Sequence, residues 1–143
     1  MRRCLGLISA SLLLLSACNL STTAPEPTPE RIVPTVEFLY PTNGSLVIEG
    51  TDVQIELLAQ DPHGVGVSRV ELYVDDVPHQ EGAPQISAAV TVFTVDMNWL
   101  AEGVGLHALS AIAYRPDGTA SDATTISLLV VAADGDNSTA TSP

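Results

Sequence analysis

Apolar residues occupy every second position in several stretches of this chain, and turn sequences separate those stretches. In residues 53–59, for example, Val53, Ile55 and Leu57 alternate with polar neighbours. A period of two places one face of a β-strand against a core, and short strands separated by turns are typical of a sandwich. We therefore predict an all-β fold, an antiparallel β-sandwich of about seven strands. The clearest strand stretches are 35–40, 53–59, 69–75, 86–97, 109–113 and 126–130, with turn sequences at 41–44, 61–64, 101–103 and 115–118.

The first seventeen residues have the layout of an export signal. Arg2 and Arg3 give a positive N-terminus, and the thirteen residues from Leu5 to Ala17 are apolar with only small interruptions. As a helix this stretch would be about 20 Å long, whereas the hydrocarbon core of a bilayer is about 30 Å thick. We therefore predict a cleaved signal peptide over residues 1–17 instead of a membrane span.

The end of this apolar stretch, Leu15-Ser16-Ala17-Cys18, resembles the lipobox of bacterial lipoproteins. The resemblance implies cleavage before Cys18 and attachment of a diacylglycerol to its sulfur, which would anchor the protein to a membrane through lipid chains. It also implies an extracytoplasmic location on the cell membrane or outer membrane. No cysteine follows Cys18. The alternative is an ordinary secretory peptide with a chance cysteine.

The sequence divides into four segments. Residues 1–17 are the predicted lipoprotein signal peptide, and residues 18–34 are a lipid-anchored linker with prolines at 25, 27, 29 and 34. Prolines at this density favour an extended spacer that buries little surface. Residues 35–132 form the predicted sandwich domain. Residues 133–143 are small and polar, so we predict a disordered tail.

The charge balance of the chain argues against nucleic acid as a partner. The chain has no lysine, five arginines and seventeen carboxylates. From Cys18 onward three arginines face all seventeen acids, a net charge of −14. A surface this acidic repels phosphate backbones, so we predict that the protein does not bind nucleic acid.

Three sequence stretches taken in order resemble the bacterial Ig-like domains of surface proteins. They are PTVEFLYPTNG from residue 34, DVQIELLAQDPHGVGVSRVELYVDDVP from residue 52 and GLHALSAIAYRPDG from residue 105. The resemblance covers about residues 34–132 and implies an Ig-like sandwich. Asp76 and Val95 depart from the family pattern, which usually has Gly or Asn and Trp at these positions. The inter-sheet disulfide of immunoglobulins is absent, because no cysteine follows Cys18.

The polar residues give little indication of catalysis. His63, His79 and His107 lack metal-ligand spacing, and the pattern of the family implies a structural hydrogen-bonding role for His107. Asp61 and His63 lie too close in sequence to form a nucleophilic triad with a nearby serine. We predict that the protein is not an enzyme and needs no cofactor. Calcium is an alternative, with Asp61 and Asp117 at one end of the domain or the DGDN sequence at 134–137 as ligands.

One outward-facing set of side chains suggests a contact with another protein. Strand alternation directs five apolar residues away from the core, on strands that share a sheet in an immunoglobulin-type sandwich. A contiguous apolar patch on a surface is typical of an interaction site. We predict a protein-contact patch, for an envelope protein or for self-association. The alternatives are that the linker or tail covers it, or that these are scattered apolar residues of an ordinary surface. The patch comprises Tyr73, Ile112, Tyr114, Leu129 and Val131.

Together these features predict a membrane-anchored, extracytoplasmic Ig-like lipoprotein. Its function would be non-catalytic binding or structural support at the cell envelope, through the predicted patch. The alternative is a carbohydrate-binding module of the cell surface, which needs an exposed aromatic platform. An exposed Trp99 beside Tyr40 would favour that alternative, and a buried Trp99 would argue against it.

Overall fold

Two β-sheets packed face to face make up residues 32–86 and 88–133, the part of the chain that the computed structural model describes. The alternating apolar pattern forms strands because one face of each can be buried against the opposite sheet. The eight strands are β1 (Thr35–Tyr40), β2 (Leu46–Ile48), β3 (Asp52–Gln60), β4 (Arg69–Val74), β5 (Val77–Gly82), β6 (Val92–Leu100), β7 (Gly105–Tyr114) and β8 (Thr124–Val131).

The strands divide into a three-stranded sheet and a five-stranded sheet. The first has the order β1-β3-β6, and the second has the order β2-β8-β7-β4-β5. All pairs are antiparallel except β2 and β8, which run parallel. The described chain begins at Ile32, next to the start of β1, and β8 ends at the opposite end of the sandwich. We call these the N-terminal end and the distal end.

The core lies between the sheets and consists of aliphatic side chains from both. Ile55 and Leu57 of β3 face inward, as do Leu72, Leu109 and Leu128 of the five-stranded sheet, and each is at most 1% exposed. Burying one such side chain contributes about 1.5–3 kcal/mol. Burial between two sheets therefore holds the domain together without a disulfide.

A two-residue turn joins β4 to β5 at the distal end. Asp75 and Asp76 have φ angles of 49° and 65°, and Val74 pairs with Val77 across the turn. Positive φ at both central residues is the type I′ geometry that matches the twist of a hairpin. Aspartate tolerates this conformation, so Asp76 can replace the usual Gly or Asn.

The predicted all-β, Ig-like sandwich is confirmed, with eight strands where about seven were expected. The alternation did not indicate β2, which has only three residues, or β5, which is polar and contains Pro78. The predicted strand over residues 86–97 was wrong in its bounds, since β6 begins at Val92. The preceding residues carry the chain from the five-stranded sheet to the three-stranded one, so they cannot pair as one continuous strand.

Several predictions concern residues outside the described part of the chain. These are the signal peptide over 1–17, the lipidated Cys18, the linker up to residue 31 and the tail from residue 134. Within residues 32–86 and 88–133, the structure contains no helix that is long and apolar enough to cross a membrane.

Candidate functional site

The five residues of the predicted contact patch lie on the five-stranded sheet, at different levels along its strands. Tyr73 on β4 pairs with Ser110 at the middle of β7, Ile112 and Tyr114 lie toward the N-terminal end of β7, and Leu129 and Val131 lie toward the distal end of β8. Between them, the hydroxyls of Ser110 and Thr125 are 2.7 Å apart and hydrogen-bonded. This polar pair separates Ile112 and Tyr114 from Leu129 and Val131 on the outer face of the sheet.

Tyr73 and Tyr114 belong to a polar network with Glu71 and Arg69, and they do not form an open apolar surface. Tyr73 donates a hydrogen bond to Glu71 over 2.6 Å, and this bond lowers the pKa of the Glu71 carboxyl. Arg69 donates to the same carboxylate over 3.0 Å, and its guanidinium lies 4.0 Å from the centroid of the Tyr114 ring. A guanidinium over an aromatic face is attracted to the negative potential of the ring. These side chains are half-buried and already bound to one another.

At the distal end, the outer face of the same sheet is aliphatic. Leu129 pairs with Leu46 on one side and with Leu106 on the other, so three leucines form a row across β2, β8 and β7. Ile48 pairs with Val131 in the next row. Leu46, Ile48 and Leu106 are 63%, 52% and 71% exposed. We call these five residues the distal aliphatic surface.

Sequence reasoning found two members of this surface and missed three. Leu46 and Ile48 were missed because β2 is too short to show alternation. Leu106 is in phase with Ile112 along β7, so extending that alternation toward the start of the strand would have identified it. Large aliphatic side chains clustered this way on an outer sheet face are typical of interaction sites.

At the N-terminal end, a buried ion pair joins two loops to the start of β1. Arg115 donates two hydrogen bonds to the Asp61 carboxylate, both 2.9 Å long, and a third to the Ile32 carbonyl over 3.2 Å. The backbone amides of His63 and Gly66 also donate to Asp61. The Arg115 hydrogen bonds lower the pKa of Asp61 to about 2.

This arrangement does not support calcium binding by Asp61 together with Asp117. Both oxygens of Asp61 are held by Arg115, and one Asp117 oxygen accepts a hydrogen bond from the amide of Thr119. Within residues 32–86 and 88–133 there is no group of three or more side chains suited to a metal ion. The DGDN sequence lies outside the described residues.

His107 connects three segments at the distal end. Its Nδ1 is 2.7 Å from the Asp75 carboxylate, and its Nε2 is 2.7 Å from the Gly103 carbonyl oxygen. Its ring centroid is 5.3 Å from that of Trp99. A neutral imidazole carries one N–H, so only the protonated form donates to both acceptors. The Asp75 hydrogen bond, with a smaller effect from Gly103, raises the pKa of His107.

Substituting His107 with glutamine is expected to remove a pH dependence from the stability of the domain. Because the folded-state pKa of His107 is raised, its contribution is complete below about pH 6.5 and lost as pH rises through the folded pKa. The contribution is at most about 1 kcal/mol, the upper range for exposed ion pairs. Urea denaturation from about pH 5.5 to about 9 would measure the slope. A slope unchanged in His107→Gln would contradict the assignment.

The structure gives no support to the carbohydrate-binding alternative. Trp99 is 6% exposed and lies in the core against His107. Tyr40, at 55% exposure, has no neighbouring exposed tryptophan among the described residues. A sugar-binding platform needs aromatic faces open to solvent, and this part of the chain does not provide one.

The fold is that of an immunoglobulin-type sandwich, with a buried apolar core between the sheets and an exposed outer face. The family model for the bacterial Ig domain matches residues 34–111, so the chain belongs to the bacterial Ig domain family. The family resemblance inferred from the sequence is thereby confirmed. No significant match was found among curated proteins.

Solved structures with the same fold come from several kinds of protein. The fibronectin(III)-like modules of CbhA from Clostridium thermocellum have a TM-score of 0.57 and 24% identity, over 69% of this chain and 99% of that one. The CARDB domain of PF1109 from Pyrococcus furiosus has a TM-score of 0.52 and 15% identity, over 68% and 94%. The PKD domain of an M14-like peptidase from a Thermoplasmatales archaeon has a TM-score of 0.51 and 16% identity, over 68% and 92%. At these identities the likeness establishes the fold alone.

Proposed function

We propose that this protein is a lipid-anchored, extracytoplasmic module of the cell envelope that binds another protein and catalyses no reaction. The observation that carries the proposal is the location of the distal aliphatic surface. The described chain starts at Ile32, held by Arg115, whereas Leu106 and Val131 lie at the other end of the sandwich. The N-terminal segment therefore joins the domain at the end opposite to this surface.

The length of β8 gives the distance between the N-terminal end and the distal end of the sandwich. Thr124 begins β8 and donates a hydrogen bond to the Val36 carbonyl near the N-terminal end. Val131 ends the same strand, roughly 20 Å farther along at the usual rise per residue. The anchoring part of the proposal rests on the lipobox-like sequence ending at Cys18 and on the proline-rich linker that follows it.

Asp61 and His107 are held in structural hydrogen bonds, which supports a non-catalytic role for both. Both Asp61 oxygens are held by Arg115, and both His107 nitrogens are held by acceptors. A catalytic base needs a free nitrogen or oxygen directed at a substrate. These residues serve to join loops.

Substituting Cys18 with serine is expected to release the protein from the membrane, because serine cannot take the thioether-linked lipid. A diacylglycerol anchor gains about 0.8 kcal/mol for each buried methylene, so its loss removes nearly all of the membrane affinity. The measurement is the distribution of the protein between membrane and soluble fractions of fractionated cells. Cys4→Ser is the matched control and is expected to stay in the membrane fraction. A Cys18→Ser variant that also stays there would contradict lipid anchoring.

A further inference from the structure

We propose that the partner of the distal aliphatic surface is a protein surface with an apolar centre and a rim of lysine or arginine side chains. This inference rests on the proposed function and specifies the chemistry of the partner.

The centre of the site is a continuous aliphatic face beside a cleft. The row formed by Leu46, Leu129 and Leu106 crosses three neighbouring strands. A cleft of about 510 Å³ opens along the free edge of β2, lined by Leu46, Ile48 and Tyr40 among others. A leucine or an aromatic side chain of a partner fits such a cleft, and anchors of this kind dominate the energetics of interfaces.

The border of this surface is acidic. Glu49 directly follows Ile48, and its carboxylate accepts a hydrogen bond from the Gly103 amide over 3.1 Å, which places it beside the loop leading into β7. Glu102 is exposed in that loop. The turn that carries exposed Asp76 is joined to β7 by the hydrogen bond from the Ala108 amide to Asp75. Asp75 itself faces His107.

No free lysine or arginine of the described chain balances these acids. In residues 32–86 and 88–133 the lysine and arginine side chains are Arg69 and Arg115. Arg69 is bound to Glu71, and Arg115 is bound to the buried Asp61. Two copies meeting through this surface would bring like charges together, and an anionic lipid surface would repel it in the same way. Complementarity therefore favours a basic rim on another protein.

The test is photo-crosslinking in detergent extracts of the cell envelope, with Leu106 replaced by p-benzoylphenylalanine. We expect one protein adduct whose yield falls at least about fivefold between about 50 mM and about 300 mM salt, because opposite charges at a rim are screened. Glu102→Lys is expected to lower the yield at low salt by a similar factor. Glu37→Lys, on the outer face of the other sheet, is the matched control and is expected to leave the yield unchanged.

Mass spectrometry of the linked peptide identifies the contacted surface. An apolar segment flanked by lysine or arginine agrees with the proposal. An adduct to a second copy of this chain, an adduct to lipid alone, or a protein adduct indifferent to salt and to Glu102→Lys would overturn it. The absence of any adduct would overturn both this inference and protein binding. Lipid anchoring is judged separately, by the fractionation of Cys18→Ser.

Discussion

An Asp61→Ala variant is expected to lose about 3–5 kcal/mol of stability, which is the usual cost of leaving one partner of a buried ion pair unpaired. Asp61 is 2% exposed and accepts hydrogen bonds from Arg115 and from the amides of His63 and Gly66. Removing the carboxylate leaves Nε and Nη2 of the buried Arg115 and two backbone amides without acceptors. A loss of this size is a large part of the total stability of a small domain, which is about 5–15 kcal/mol.

Urea denaturation measures this loss, and acidification provides an independent check. The folded-state pKa of Asp61 is about 2, below its ordinary value of 3.8. The stability it contributes is therefore complete above about pH 4 and lost as pH falls toward 2. The Asp61→Ala variant is expected to lose less stability over that range than the wild type. Asp96→Ala, at an exposed carboxylate, is the control. An Asp61→Ala variant as stable as Asp96→Ala would contradict the structural role of the pair.

Leu109→Ala is expected to cost about 2–5 kcal/mol, whereas Leu106→Ala on the same strand is expected to stay within about 0.5 kcal/mol of the wild type. Leu109 is fully buried, so truncating it leaves a cavity in the core. Leu106 is 71% exposed, so its side chain contributes little to folding. The two variants are matched in chemistry and differ only in the face of β7 on which the leucine lies.

Denaturation midpoints of the two purified variants give the comparison. A small cost for Leu106→Ala with an intact fold would leave Leu106 available for a role other than stability. If instead Leu106→Ala were as damaging as Leu109→Ala, the distal aliphatic surface would belong to the core of the folded domain and the contact proposal would fail.

Much of the fold follows from local sequence patterns. The alternation of Val53, Ile55 and Leu57 sets which face of β3 is buried, because the side-chain period of a strand is two. Turn sequences then limit how far each strand extends. β2 has only three residues, too few to show an alternating pattern. β5 is polar and forms a strand because it pairs with β4 across the Asp75–Asp76 turn.

The candidate site was less predictable, because it depends on contacts between residues far apart in the chain. Leu129 and Val131 could be assigned to an outer face, but their neighbours come from β2 and from the start of β7. The register also separates them from Tyr73, which alternation alone cannot reveal. The Asp61–Arg115 ion pair joins residues 54 positions apart, and local sequence patterns do not indicate hydrogen bonds over such a separation.

The most direct test of the proposed contact is photo-crosslinking in intact cells, comparing a probe at Leu129 with a probe at Thr94. Both positions are exposed, Leu129 on the outer face of the five-stranded sheet and Thr94 on that of the three-stranded sheet. We expect a specific protein adduct from position 129 and none from position 94. Adducts of equal yield from both positions, or an adduct from position 94 alone, would contradict binding through the distal aliphatic surface.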